Sequence, residues 1–308
     1  MKISQRLEKE RILDRILEDD RSIEKTLIRR GYTFKSNKTG LSKKLLLNID
    51  IFEEEQEYRL YKLMNDVSNR VILKKICTSK PKFTKEELYD KWSTDKIDNL
   101  LKELVEIRAI INNQDGNLSL KKREAEFGEN FEWYISEIFK REFYCTSDWG
   151  VHIVEAPNGG DYDVLARSEN NLIYVECKAK KPSNIDEKEI ISLLKRDEFL
   201  RSYITILLVD STDDINSIEN LFKKICLRIN ELIPKHNINF VMGKPPYTEK
   251  LYEHLFHFQS RLFVVNSKKP VIETFKLCLR HRHRSDESDQ AIKGRFWLHE
   301  LLLKVEEW

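Results

Sequence analysis

The spacing of apolar and polar residues predicts one long helix followed by two strands near the middle of the chain. Apolar residues recur every three or four positions over 124–140, which is the helical period. The β-prone runs 162–167 and 172–178 flank a polar turn and therefore predict a hairpin. A further helix over 185–201 and a buried strand over 203–209 complete the order helix, strand, strand, helix, strand.

Residues 66–120 carry a second pattern, in which three predicted helices precede a short hairpin. Two apolar runs flank the turn Gln114-Asp115-Gly116, and Asp-Gly is a strong hairpin signal. Three helices and a hairpin are the order of a winged helix. Its third helix has both basic and acidic residues on its outer side, so DNA contact and protein docking both stay open. The predicted helices are 69–79, 84–92 and 94–107.

The remaining predicted elements lie toward the two ends of the chain. The polar stretch 33–44 is predicted to be a loop. Ser183 and Asp186 match a capping box for the helix over 185–201. The final helix is expected to pack in a core or in a homodimer interface. Helices are predicted at 4–30, 53–64, 214–234, 248–258 and 289–308, and strands at 239–242 and 261–265.

Composition narrows the class of protein without naming it. The chain has 308 residues, enough for two or three domains, and a formal charge of +2. That charge excludes a grossly basic coat for nucleic acid but leaves room for a local basic groove. The five cysteines are odd in number and lack zinc spacing, and no apolar run reaches membrane length. We therefore expect a soluble cytoplasmic protein that has reduced thiols and no membrane partner.

The predicted hairpin brings acidic side chains together. If its turn is symmetric, Arg167 faces Leu172, and Asp163 then lies opposite Glu176 with Lys178 on the same face. Two carboxylates held this close repel each other unless a cation lies between them. Carboxylate and carbonyl oxygens suit Mg²⁺ or Mn²⁺. The alternative is a surface hairpin in which Asp161 forms an ion pair with Lys178.

Glu132 is a further acidic candidate on the helix before the hairpin. It lies at the edge of the apolar stripe, from which it can reach the carboxylates of the sheet, whereas Glu129 and Glu137 point further away. The alternative is a half-buried carboxylate that has no role as a ligand.

These residues resemble a known family, the PD-(D/E)xK or restriction-endonuclease-like phosphodiesterases. Its signature is an aspartate, a gap and then Glu-x-Lys on the next strand, which match Asp163 and Glu176-Cys177-Lys178. Gly128-x-x-Phe131-Glu132 is similar to the helix opening of Mrr-type enzymes. The resemblance covers roughly residues 124–210. The fold class it implies is α/β (α+β), with a mixed sheet flanked by helices and preceded by a helical and winged-helix region.

The resemblance implies a metal-dependent endonuclease that acts on nucleic acid, with DNA favoured over RNA. Asp163, Glu176 and the Cys177 carbonyl would hold Mg²⁺ or Mn²⁺, and Lys178 would assist the attacking water. Glu132 would tune that site or hold a second ion. Asp161 is the alternative ligand if the hairpin slips by two residues.

The implied domains are a helical region over 1–65, a winged-helix-like domain over 66–122 and a nuclease-like domain over 123–308. Two other functions compete with catalysis. One is a nuclease-fold protein that binds DNA or acts as a scaffold without cutting; the other is a transcription regulator, which the acidic third helix disfavours. His281 and His283 lack a third metal ligand, so the basic run around them is expected to contact phosphate or to be solvated. The predicted nucleic-acid contacts are Lys74, Lys75, Lys82, Lys180, Lys181, Arg282 and Arg284.

Overall fold

The structure is a computed structural model in which parts of the chain are described and others are not. It describes residues 22–35, 43–47, 54–79, 82–89, 92–157, 160–211, 215–236, 248–252, 255–258 and 260–285.

Ten strands are present in the described residues, and eight of them form one sheet. The strands are β1 Phe34–Lys35, β2 Ile110–Asn112, β3 Leu118–Leu120, β4 Thr146–Ile153, β5 Asp161–Ser168, β6 Asn171–Lys178, β7 Ile204–Val209, β8 Thr248–Tyr252, β9 Leu255–Phe258 and β10 Leu262–Asn266. The large sheet has the order β1, β4, β5, β6, β7, β10, β9, β8, and β2 pairs with β3 separately. Strand β7 runs parallel to both β6 and β10, and the other neighbours are antiparallel.

Helices cover both faces of this sheet. Phe131 and Ile135 of α5 share one hydrophobic cluster with Val164 and Val175 of the sheet. Leu193 of α6 belongs to a second cluster, on the opposite face. The helices are α1 Ile23–Arg29, α2 Glu54–Asn65, α3 Val67–Thr78, α4 Thr94–Glu106, α5 Phe127–Phe143, α6 Glu187–Leu200, α7 Ile215–His236 and α8, residues 271–285.

The central hairpin has the predicted register, because Arg167 pairs with Leu172 across β5 and β6. A glycine shapes the approach to β5. Gly160 has φ +74°, and a Cβ there would lie 2.2 Å from the Ile153 carbonyl oxygen, so a side chain is excluded. The capping box of α6 differs from the prediction. Asp186 and Glu189 form it, since α6 begins after Asp186 and the side chain of Asp186 accepts from the Glu189 amide.

Residues 67–120 have the predicted winged-helix order, with one element shorter than expected. Helices α3 and α4 and the β2–β3 hairpin form as predicted, and Ser93 caps α4. In place of a full second helix the described residues contain a short 3-10 turn, Glu86–Leu88. Phe83 pairs with Leu118 and adds a third short segment to the hairpin. The predicted fold class, a mixed sheet flanked by helices, is confirmed.

Two predictions for the outer strands are wrong. The predicted loop over 33–44 contains β1, which pairs with β4 at the sheet edge. The predicted helix over 248–258 is instead the β8–β9 hairpin. All four residues of β9 are buried because both faces of the sheet are covered there, whereas a surface helix would bury one side. The strand over 261–265 is confirmed as β10. The predicted strand 239–242, the final helix and the first part of the helix over 4–30 lie outside the described residues.

Candidate active site

The site lies where β5 and β6 separate. The paired register of the two strands ends with Val164 opposite Val175, one pair short of Asp163 and Glu176. From this point Asp163 makes a side-chain contact in place of a strand pair. Its Oδ2 accepts a hydrogen bond from the Cys177 amide at 2.7 Å. The aspartate is thus anchored by the backbone of the strand that carries Glu176 and Lys178.

Asp163 occupies an environment that disfavours its charge. Its pKa is raised from 3.8 to about 7, mainly by burial and next by the nearby Glu176 carboxylate. Lys178 and the Cys177 amide oppose this effect without cancelling it. Near neutral pH the carboxyl is therefore divided between its protonated and ionised forms.

Glu132 of α5 shares this environment, as predicted from the edge of the apolar stripe. Burial raises the pKa of Glu132 well above its usual range, and the charge of Asp163 is the next largest cause. Within the described ranges no hydrogen bond reaches its carboxylate. Glu129 points elsewhere and pairs with Lys44 at 2.8 Å. Glu137, which the stripe predicts to point further away, is buried, and Lys140 and Arg141 both pair with it.

Glu176 is the most tightly held carboxylate of the group. Its residue is 1% exposed, and Oε1 accepts from Lys178 Nζ at 2.7 Å and from Arg196 Nη2 at 2.8 Å. Its other oxygen accepts from the Tyr174 hydroxyl. Two cations and a phenol therefore surround one anion, which satisfies the rule that buried charges need partners.

Lys178 links Glu176 to helix α6. Its Nζ lies 3.6 Å from Glu189 Oε1 as well as 2.7 Å from Glu176. Burial acts to lower the pKa of Lys178, but Glu176 and Asp163 outweigh it and the pKa is raised. Lys178 is therefore protonated across the physiological range.

Arg196 is a residue of the candidate site that the sequence patterns did not single out. Besides Glu176 it contacts the Asp161 carbonyl oxygen through Nη1, and within the described residues its buried Nε has no partner. Burial acts to lower its pKa, but Tyr174 and Glu176 outweigh that effect and raise it. A signal was present in the sequence, because Arg196 lies three residues after Leu193 and four before Leu200 on the buried side of α6.

Asp161 does not face Lys178, so the predicted ion pair is wrong, and the hairpin lacks the two-residue slip on which its alternative role as a ligand depends. Its side chain is 77% exposed and pairs with His152 of β4 at 2.8 Å. Strand β5 remains paired with β4 through His152 and Asp161 after it has left β6. The side chain of Asp161 is therefore directed toward β4 and not toward Asp163 and Glu176.

The described residues do not contain a ready cluster of three metal-ligating side chains. Asp163 and Glu132 nonetheless fit a cation, because both carboxyls are partly buried, have raised pKa values and form no ion pair with the described lysines and arginines. Glu176 fits less simply. Lys178 and Arg196 already neutralise it, so it could join a metal only by giving up part of that contact.

Three of the predicted nucleic-acid contacts lie beside this site. Lys74 donates to the Ala179 carbonyl oxygen, directly after Lys178. Lys180 pairs with Glu189 at 2.6 Å, and Lys181 next to it is exposed. These side chains border the end of β6 that carries the candidate catalytic residues.

The other predicted contacts lie elsewhere. Lys75 donates to the Glu87 carbonyl, and Lys82 pairs with Asp115 at 2.7 Å in the winged-helix region. Arg282 and Arg284 lie on α8, where Arg282 donates to the Tyr203 carbonyl at 3.2 Å, before the start of β7. The site is at the other end of these parallel strands. His281 and His283 are helical and so do not share a face.

The likeness of this chain to known proteins is distant. No protein-family model matches the sequence, and no curated protein matches it. Among solved structures it is similar to protein VC1899 from Vibrio cholerae, with 18% identity, a TM-score of 0.37, and coverage of 61% of this chain and 58% of that one. It is also similar to Can2 from Sulfobacillus thermosulfidooxidans in complex with cyclic tetra-adenylate, with 13% identity, a TM-score of 0.36, and coverage of 69% and 60%.

The chain thus spans 58% and 60% of the lengths of these two neighbours. Likenesses of this size transfer neither a ligand nor an activity. Among the described helices, none combines the length and apolar character needed to cross a bilayer.

Proposed function

We propose that the chain is a metal-dependent endonuclease that hydrolyses phosphodiester bonds of nucleic acid. DNA is the expected substrate, because the winged-helix order beside the site occurs in DNA-binding modules. The observation that carries this proposal is the convergence of Asp163, Glu132 and the Glu176–Lys178 pair at one pair of strand ends. Perturbed pKa values in such a cluster are typical of functional sites.

The ionised forms of Asp163 and Glu132 are unfavourable in the metal-free protein. The charge of Asp163 raises the pKa of Glu132, and the described residues give neither carboxyl a lysine or arginine within ion-pair distance. A divalent cation between them would remove that repulsion. We therefore propose that Asp163 and Glu132, with the Cys177 carbonyl and part of Glu176, hold Mg²⁺ or Mn²⁺.

Each group of the chain has a separate task in this proposal. A bound ion would supply the positive charge that stabilises the oxygens of the phosphate during in-line attack. Lys178 is protonated and can donate to a phosphate oxygen or orient the attacking water once its contact with Glu176 loosens. Arg196 and Tyr174 keep the Glu176 carboxylate in place during that change. Lys74, Lys180 and Lys181 would contact neighbouring phosphates.

A second function is supported by a specific observation. Glu176 is already fully satisfied by Lys178, Arg196 and Tyr174, which is the arrangement expected of a site that no longer takes a metal. Under this alternative the protein binds nucleic acid or acts as a scaffold without cleaving it. The two functions differ in one observable. A nuclease cleaves the nucleic acid when divalent metal is present, whereas a binding protein or scaffold leaves the nucleic acid intact.

Cleavage of a panel of labelled DNAs and RNAs, duplex, branched and single-stranded, with Mg²⁺, Mn²⁺ or EDTA, tests the proposal. Wild type should produce fragments only with metal. Asp163→Ala and Lys178→Ala should each lower kcat by about 10²-fold or more, because each removes charge placed at the reacting phosphate.

Asp161→Ala and Lys188→Ala are matched controls. Each removes the same type of side chain, but Asp161 faces His152 and Lys188 is exposed on α6 and has no role in the proposal. We expect both variants to retain kcat within about threefold. Absence of cleavage for wild type over the whole panel, with nucleic-acid binding that is unaffected by EDTA, would replace the nuclease with the binding protein.

A further inference from the structure

Arg70, on the first helix of the winged-helix region, is among the largest fully buried side chains of the described structure. It is 1% exposed and forms an ion pair with Asp210, whose side chain is 5% exposed. Its Nε and Nη2 both donate to Asp210 Oδ1 at 3.0 Å, and Nε also lies 3.2 Å from Oδ2. This ion pair joins helix α3 to the residue that directly follows strand β7.

Asp210 connects that ion pair to the strand that carries the candidate catalytic residues. Its backbone amide donates to the Lys178 carbonyl oxygen at 2.8 Å. Its carboxylate also accepts from Ser267 Oγ at 2.6 Å, at the end of β10. The ends of β6, β7 and β10 are thus held together around one aspartate, and Arg70 holds the aspartate.

The same guanidinium also contacts the helix that carries Glu132. Its central carbon lies 5.9 Å from the Phe131 ring centroid and 5.6 Å from that of Tyr134, both on α5. Its Nη1 donates to the Met64 carbonyl at 2.7 Å, at the end of α2. Phe131 precedes Glu132 in sequence, so Arg70 lies between the two elements whose carboxylates form the site.

Two further contacts run along the same path. The Tyr134 hydroxyl donates to Asn65 Oδ1 at 3.0 Å, between α5 and the end of α2. Lys74, one turn after Arg70 on α3, donates to the Ala179 carbonyl. Helix α3 therefore has two contacts here. Lys74 contacts the residue that follows β6, and Arg70 contacts Asp210, which is hydrogen-bonded to the last residue of β6.

We propose that Arg70 is a positioning residue of the candidate active site, which makes the first winged-helix helix part of the catalytic scaffold. Its ion pair with Asp210 sets the position of the Glu176–Lys178 strand end relative to Glu132 on α5. The proposal rests on the proposed nuclease function for its effect on catalysis, but the positioning itself does not depend on that function.

Folding stability alone does not explain the buried Arg70–Asp210 ion pair. Replacing such a pair by apolar residues of similar volume is often neutral or stabilising, whereas removing one partner leaves an unpaired buried charge. The directional hydrogen bonds of a guanidinium, in contrast, fix relative positions that apolar contacts leave free to slide. Stability and positioning can therefore be separated by experiment.

The test compares Arg70→Met with the double variant Arg70→Met/Asp210→Leu in the full-length protein. The single variant should lower Tm by roughly 5 °C or more, and the double variant should recover most of that loss. In the double variant kcat should still be at least about tenfold below wild type, with KM changed less, because small misplacement of reacting groups is costly.

Hydrogen exchange without metal provides a readout that does not need catalysis. Amides at the β6 end, 176–180, and in α5 around Glu132 should exchange faster in the double variant, while the rest of the sheet is unchanged. The control is Arg59→Met, which removes an arginine of α2 that pairs with Glu103 and Glu106 away from the site. That control should alter neither exchange in these two segments nor kcat.

A double variant with native Tm, native exchange at both segments and native kcat would overturn the proposal, leaving Arg70 as packing only. If wild type cleaves none of the nucleic acids offered, the nuclease function fails, and exchange at 176–180 and around Glu132 then decides the role of Arg70 by itself.

Discussion

The paired acids of the winged-helix region and two acids of the candidate active site, Asp163 and Glu132, have opposite electrostatic surroundings. Asp66 pairs with Lys96 at 2.8 Å, and Asp98 pairs with Lys85 at 3.3 Å, both near the surface. Lys82 and, next, hydrogen bonds from Asn117 lower the pKa of Asp115 to about 2. At the site, burial raises the pKa of Asp163 to about 7 and that of Glu132 well above its usual range.

This difference separates charges that report on function from charges that do not. An exposed acid beside a base changes stability little and is common on any soluble surface. A partly buried acid with a raised pKa opposes folding while it is ionised, so packing alone gives no reason for it. The cluster at the strand ends is therefore the stronger indication of chemistry, although the winged-helix region contains more acids.

The largest loss of stability is expected when the buried Glu176 carboxylate loses one of its cations. Arg196→Met removes a cation from Glu176, which is 1% exposed, so the free energy of unfolding should fall by about 3–5 kcal/mol. Urea denaturation at pH 7 measures the loss. Arg196→Lys keeps the charge and should lose less, and a loss below about 1 kcal/mol in Arg196→Met would show that Lys178 and Tyr174 suffice.

A smaller effect of the opposite sign is expected where the charge is unpaired. The pKa of Asp163 is raised from 3.8 to about 7, so the folded protein binds this proton more tightly than the unfolded chain does. The resulting stability is fully present below about pH 4 and is lost as the pH rises toward about 7. Asp163→Asn removes the ionised form and should stabilise the metal-free protein at pH 8 by on the order of 2 kcal/mol, with no gain at pH 4.

Urea denaturation in EDTA at the two pH values measures this gain. Asp161→Asn changes an exposed carboxylate on the same strand and should show no comparable difference between pH 4 and pH 8. An Asp163→Asn variant that is equally stable relative to wild type at both pH values would mean that Asp163 carries no unfavourable charge.

The smallest effect is expected at the paired surface acids. Lys96→Ala breaks the ion pair with Asp66. The side chains of Lys96 and Asp66 are 30% and 45% exposed, so the free energy of unfolding should change by less than about 1 kcal/mol. Added salt should reduce even this difference. A loss above about 2 kcal/mol would place the surface pairs of the winged-helix region in the same class as the buried ones.

Local pairing made much of the site predictable from the sequence. The register of β5 and β6 follows from one short turn, and it places Asp163 and Glu176 at corresponding positions. The apolar stripe of α5 likewise identified Glu132, since helical spacing alone fixes which residues flank a buried face.

Contacts between distant segments were not predictable in the same way. Asp161 and Asp163 look equivalent in the hairpin, and only the pairing of His152 with Asp161 directs the first of them away from the site. Arg70 and Arg196 were not identified because charged residues on apolar faces usually lie at the solvent boundary. Their partners, Asp210 and Glu176, are 140 and 20 residues away in sequence.

The anchoring of Asp163 by a backbone amide has a consequence for variation at the neighbouring position. The Cys177 N–H holds the aspartate, while its thiol packs against the hydrophobic cluster beneath α5. Other residues of similar size could replace Cys177 and leave the aspartate where it is, because every residue except proline offers the same donor. Substitutions at this position in related sequences would therefore be compatible with a preserved site. Proline is the exception, because it would remove the hydrogen bond that holds Asp163.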